Sequence, residues 1–302
     1  MNLKTTIAGV EFKNPVIVAS GTFGFGREYN KFYDVGKLGG ICSKGLTLEP
    51  RQGNQPVRIA ETPSGMLNSV GLQNPGVEYF IENELPFMKS LGTVVIANAA
   101  GSCESDYVRI VEMLCATDVD MIELNISCPN VKKGGMAFGV EPEGVLQIVK
   151  AVRKVCKKPL IVKLTPNVSN IAANALAAQN GGADAVSLIN TVAAMAVDFK
   201  TKRPILKAVT GGLSGPCVKP IALRMVYECY KAVEIPIIGM GGIMTGRDVG
   251  EFMLCGAAAV QVGTANIFDP YAAITIVNEL TNLCEHDKIN DVQSLVGGLC
   301  VD

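Results

Sequence analysis

The chain has 302 residues, 48% of them hydrophobic and 18% charged, with a formal net charge of −1. That length and apolar content can bury one large core, so a single domain spanning the chain is expected. A charge near zero, without long blocks of one sign, argues against nucleic acid or an anionic membrane surface as partner and favours small-molecule chemistry.

In chain order, the first expected element is a small β-hairpin over residues 4–12, with Ala8-Gly9 as its turn, closing the bottom of whatever follows. Short apolar runs of strand length then recur at residues 16–19, 40–44, 94–98, 121–127, 160–164, 185–190, 235–240 and 259–263. Helix-patterned segments separate them. Glu141 to Cys156 reads as one helix; Ser169 precedes an alanine-rich second, ended by Gly181-Gly182; Asp269-Pro270 reads as the N-cap and first position of a third. Such alternation means parallel strands joined by helical crossovers, and eight units in one chain fit a closed (β/α)8 barrel. Two connections are too long for ordinary βα loops, roughly forty residues after the second strand and roughly thirty from Thr191. Both leave strand C-terminal ends and are expected to roof a pocket there.

Polar residues at those strand ends are the candidates for chemistry, and strand interiors are expected to be apolar packing. The ends read Ser20-Gly21, Ser43-Lys44-Gly45, Asn98, Asn125-Ile126-Ser127-Cys128-Pro129-Asn130, Lys163, Asn190-Thr191, Gly241-Gly242 and Gly263-Thr264. The glycines of the last two strands, with Gly215 after the sixth, suit a phosphate cradle, although glycines also serve simple tight turns. Lys44 and Lys163, at the ends of apolar strands, each call for a partner anion, which a reduced flavin would supply. A Schiff base on Lys163, as in a lyase, is the alternative. The amides of Asn68, Asn98, Asn125, Asn130 and Asn190 suit the alternating donors and acceptors of a pyrimidine edge; turn formation is their ordinary use.

Ten cysteines are spread singly, without a C-x-x-C pair. That scatter suits a reducing cytoplasm and mostly buried thiols, and it makes a zinc or iron–sulfur cluster ligated by this chain improbable. Cys128 is the exception, because it follows a strand directly and Pro129 turns the chain away, setting the thiol at the pocket as a general base. The single histidine, His286, lies among polar residues near the C-terminus and is expected to be a solvated helix end. Met1 to Val10 carries neither a signal-peptide pattern nor a membrane-length apolar span, which agrees with a cytoplasmic protein.

At Asn125-Ile126-Ser127-Cys128-Pro129-Asn130 the chain resembles the class 1 dihydroorotate dehydrogenases. The resemblance extends over nearly the whole chain, through Ala19-Ser20-Gly21, Ser43-Lys44-Gly45, the segment Asn68 to Asn74, Val162-Lys163-Leu164, the segment Ile237 to Ile243 and the segment Gln261 to Ala265. The stretch Val131 to Gly139 is similar to the 1B, NAD-linked type rather than the fumarate-linked 1A type. The resemblance implies FMN on Ser20, Lys44, Gly45, Asn98, Asn125, Lys163, Ile189, Gly215, Gly241, Gly242, Gly263 and Thr264. It implies orotate on Lys44, Asn68, Val70, Gly71, Leu72, Asn125, Asn190 and Thr191, with Asn130 near the pyrimidine. It further implies a homodimer associated with a second subunit carrying FAD and an iron–sulfur cluster. The expected reaction takes the C5 proton of dihydroorotate to Cys128 and the C6 hydride to flavin N5, with Lys163 stabilising the reduced flavin. Rival readings are the 1A enzyme, a flavin barrel acting on another dihydropyrimidine, a Lys163 lyase and a non-enzymatic scaffold subunit.

Overall fold

The structure is a computed structural model that describes residues 1–127 and 138–301. Its first two strands, β1 (Thr5–Ile7) and β2 (Val10–Phe12), pair antiparallel. Ala8 and Gly9 take positive φ at the turn, 49° and 81°, the primed geometry whose twist matches the strands.

The remaining strands, in chain order, are β3 (Val16–Val18), β4 (Gly40–Cys42), β5 (Ile59–Thr62), β6 (Gly65–Asn68), β7 (Val94–Ala99), β8 (Met121–Asn125), β9 (Leu160–Lys163) and β10 (Ala185–Leu188). They continue as β11 (Val192–Ala194), β12 (Val197–Asp198), β13 (Arg203–Pro204), β14 (Gly211–Ser214), β15 (Ile237–Met240) and β16 (Ala257–Val262). The ring β3-β4-β7-β8-β9-β10-β15-β16 closes into a parallel barrel, a (β/α)8 architecture. All eight expected runs are barrel strands, several of them shorter at the C-terminal end, where the chain leaves the ladder to face the cavity. Helices fill the crossovers from residues 77–90 onward; between β3 and β4 two short 3-10 turns, Tyr29–Lys31 and Val35–Lys37, stand in the helix position.

Two helix starts differ from expectation. Asn170, not Ser169, caps Ile171–Gly181 by accepting from Ala173 N at 3.0 Å, while Gly182 ends that helix at φ 98°. Asp269 accepts from Tyr271 N at 2.9 Å within a lead-in turn, so the last helix runs Ala272–His286.

The barrel interior has two layers with the period of two that strand geometry imposes. The lower holds Ile17, Ile96, Met121, Ile161, Ala185, Ile238 and Ala259, packed on Ile7 and Phe12 of the hairpin, which plugs the barrel from below. Two residues further along, five of the seven inward positions are polar and still buried, Asn98, Glu123, Lys163, Ser187 and Gln261, while Ala19 and Met240 stay apolar. The expectation of apolar strand interiors therefore holds for the lower layer only.

The two long connections meet as one sheet, β11-β14-β6-β5, with Asn68 opposite Gly212, and this sheet forms the roof. Among the described residues no helix is long and apolar enough to cross a membrane. The expectation of mostly buried thiols is corrected: Cys42, Cys156, Cys229 and Cys284 are buried, Cys115, Cys217 and Cys255 partly so, and Cys103 and Cys300 exposed. Cys103 stands immediately before a helix and Cys300 near the C-terminus, positions with no core to enter. His286 ends the last helix, exposed, with Nδ1 2.7 Å from Asp287.

Candidate active site

Between the barrel's C-terminal rim and the roof sheet lies a cavity of about 530 Å³. Lys163, Asn125, Gln261 and Ser127 line it from the barrel side, and Lys44, Gly45 and Ser20 from strand ends β3 and β4. Asn68, Val70, Gly71 and Leu72 line it from the roof connection, Asn190 and Thr191 from the end of β10. Ile189, Gly215, Gly241, Gly242, Gly263 and Thr264 complete the part near β15 and β16. The structure thus gathers almost every residue picked out from the sequence. Asn98 is fully buried one layer beneath and reaches the cavity through Asn125, whose Nδ2 is 3.4 Å from Asn98 Oδ1. Cys128 and Asn130 lie outside the described residues.

The amides on the cavity wall are oriented by a chain of hydrogen bonds. Ser127 Oγ donates to Asn125 Oδ1 at 2.6 Å and accepts from Asn190 Nδ2, while Asn190 Oδ1 accepts from Thr191 N at 2.8 Å. Each amide therefore has one assigned face, as recognition of a ring with fixed donors and acceptors requires.

The two lysines differ. Lys163, 5% exposed, has its partner anion inside the chain: Glu123 Oε2 lies 3.8 Å from Nζ. This corrects the expectation that a bound group must supply it, and a Schiff-base role would require Lys163 to give that partner up. Lys44 has no carboxylate partner among the described residues; burial first, then the charges of Lys163 and Arg58, push its amine below its ordinary 10.5. A cation that is largely desolvated and has no carboxylate partner among the described residues is a place for an anion.

Glycines shape the rim at β15. Gly242 takes φ +81°, and a Cβ there would come within 2.9 Å of Gly215 O and 2.8 Å of Lys219 N, so only a glycine lets these backbones approach. Beside them Thr264 Oγ1 donates to Ser214 Oγ at 2.8 Å.

Glu123 and Gln261 escaped the sequence reading. A signal existed: Glu123 stands two residues after Met121 and two before Asn125, on the inward-facing register of one strand.

The family pattern described as Dihydroorotate dehydrogenase matches residues 2–284. The chain belongs to the dihydroorotate dehydrogenase family. Three relatives described as "Dihydroorotate dehydrogenase B (NAD(+)), catalytic subunit" illustrate the likeness. That of Caldicellulosiruptor saccharolyticus is 54% identical over 299 residues, covering 99% of each chain. That of Petrotoga mobilis is 55% identical over 297 residues, covering 98% of this chain and 99% of its own. That of Bacteroides thetaiotaomicron is 54% identical over 299 residues, again 99% of each. The dihydroorotate dehydrogenase match runs from before the hairpin plug into the last helix, so cavity, roof and polar layer all fall within it.

Proposed function

We propose that this chain oxidises dihydroorotate to orotate for pyrimidine synthesis, in the cytoplasm, with FMN as its cofactor, Cys128 as its base and a partner subunit as the route to NAD. The observation that carries this reading is the unpartnered Lys44 at a wall of oriented amides, a match for a flat, hydrogen-bonding ring that bears a carboxylate.

The residues present also fit FMN. Gly215, Gly241, Gly242 and Gly263 line the cavity without side chains to keep a phosphate from the backbone, and Lys163 lines it as a donor to a cofactor ring with a polar edge. A flavin bound there supplies a two-electron acceptor for the substrate. Lys44 holds the substrate carboxylate; Asn68, Asn125 and Asn190, with Thr191 and Asn130, fix the ring edge. Val70, Gly71 and Leu72 close over it from the roof and exclude water. The Cys128 thiolate takes the proton from C5 as the hydride leaves C6. Ser127, which immediately precedes Cys128 in sequence, lines the cavity. The relatives' names speak of a catalytic subunit and NAD, which supports a second subunit as the route to NAD; that this partner carries FAD and an iron–sulfur cluster, and that the chain pairs as a homodimer, are part of the same proposal.

The test is an anaerobic spectrum of the purified chain with dihydroorotate added, for wild type and Cys128→Ala. Bleaching of the flavin band is expected in the first, and retention of flavin with reduction slowed about 10²- to 10⁴-fold in the second. Wild-type reduction rates in Cys128→Ala would remove the thiol from the mechanism, and bleaching by dihydrouracil but not dihydroorotate would change the substrate.

A further inference from the structure

One fully buried carboxylate, Glu123 of β8, gathers side chains from five other barrel strands. Asn98 Nδ2 of β7 donates to it at 2.6 Å, Gln261 Nε2 of β16 at 2.7 Å, Ser187 Oγ of β10 at 2.8 Å and Cys42 Sγ of β4 at 3.3 Å. Lys163 of β9 completes the set at 3.8 Å.

Stability does not explain a charge at this position. The layer below is apolar and well packed, and a buried ion pair is often no more stabilising than hydrophobic residues of the same volume. What a carboxylate alone provides is direction. It only accepts, so every amide around it must turn its NH2 inward and its oxygen outward. Asn98 Oδ1 is thereby turned toward Asn125 at the cavity wall. Gln261 obeys the same rule although its Oε1 is left without a hydrogen-bond partner. Burial alone would raise the Glu123 carboxyl, yet Lys163 and the bonds from Ser187, Gln261 and Asn98 hold it below 4.5.

We propose that Glu123 is a positioning residue of the reaction, whose carboxylate orients Asn98, Gln261 and Lys163 beneath the cavity and compensates the charge of Lys163, so that the uncompensated cation at the wall is Lys44. The redox consequence rests on the flavin reading above; the charge compensation does not.

The experiment is a double-mutant cycle in the full chain: Glu123→Gln, Lys163→Met and both together. In flavin-free protein the double variant should recover most of the Tm lost by Glu123→Gln, because it removes the orphaned charge. A double variant that is no more stable than Glu123→Gln, or that folds no better, overturns the pairing. In flavin-loaded protein Glu123→Gln should shift the flavin potential positive, since an uncompensated Lys163 favours the reduced anion, and the double variant should return it toward the wild-type value. A lowered Tm with an unchanged potential would mean a structural role only and overturns the proposal. A chain that takes up no flavin defeats the functional reading instead, while the Tm cycle still decides the pairing.

Discussion

Burial penalises both Lys44 and Glu123, and the outcomes differ because Glu123 is surrounded by partners whereas Lys44 is not. With its folded value below 10.5, Lys44 binds its proton less readily in the native chain than in the unfolded one. Its contribution to stability is therefore fully present only above 10.5 and is lost as pH falls through the lowered folded value. At neutral pH the charged lysine is a cost to the ligand-free protein. Lys44→Met should leave the Tm of that protein equal or higher while weakening orotate by about 1.5–3 kcal/mol, the range for hydrogen bonds to charged groups. That corresponds to roughly 10- to 100-fold in Kd. Calorimetric titration with orotate and a thermal melt check both halves. A fallen Tm with unchanged affinity would move the carboxylate contact elsewhere.

Among elements, the hairpin plug and the roof sheet serve opposite ends of the barrel. Phe12 is fully buried against the lower layer and close to Gly40, at the start of β4 and away from the cavity. Phe12→Ala should cost about 3–5 kcal/mol of stability, the usual range for a truncated core aromatic. Urea unfolding should show the loss, with kcat/KM for dihydroorotate little changed at temperatures where the variant stays folded. A collapse of activity without loss of stability would tie the plug to the site. The barrel strands could be read from sequence because each is buried on both faces, so its apolar run survives intact. The same run hid Glu123 and Gln261, single polar residues whose partners lie on other strands. The roof pairing of Asn68 with Gly212 joins positions 144 residues apart and leaves no local trace. Glycines and asparagines at strand ends were legible individually, but the Ser127 hydroxyl that ties Asn125 to Asn190 became meaningful only in three dimensions.

At the scale of the whole molecule, the question is how electrons leave the cavity. A space of about 530 Å³ falls within the range that encloses one drug-sized ligand, and the proposed FMN and orotate would already claim it. The sequence has no G-x-G-x-x-G between a strand and a helix to bind a dinucleotide, and both long connections are committed to the roof. Among the described residues no group of three or more His, Cys, Asp or Glu is placed to hold a metal ion. The proposed subunit with FAD and an iron–sulfur cluster would therefore have to approach the cavity from outside and carry the electrons onward. The isolated chain should accordingly reduce artificial dyes with dihydroorotate, and NADH should form only when the partner subunit is added. Absorbance at the NADH band, followed with and without that subunit, provides the check. Rapid NADH formation by the partner-free chain would refute the division of labour, and efficient turnover of fumarate would place the chain with the fumarate-linked type.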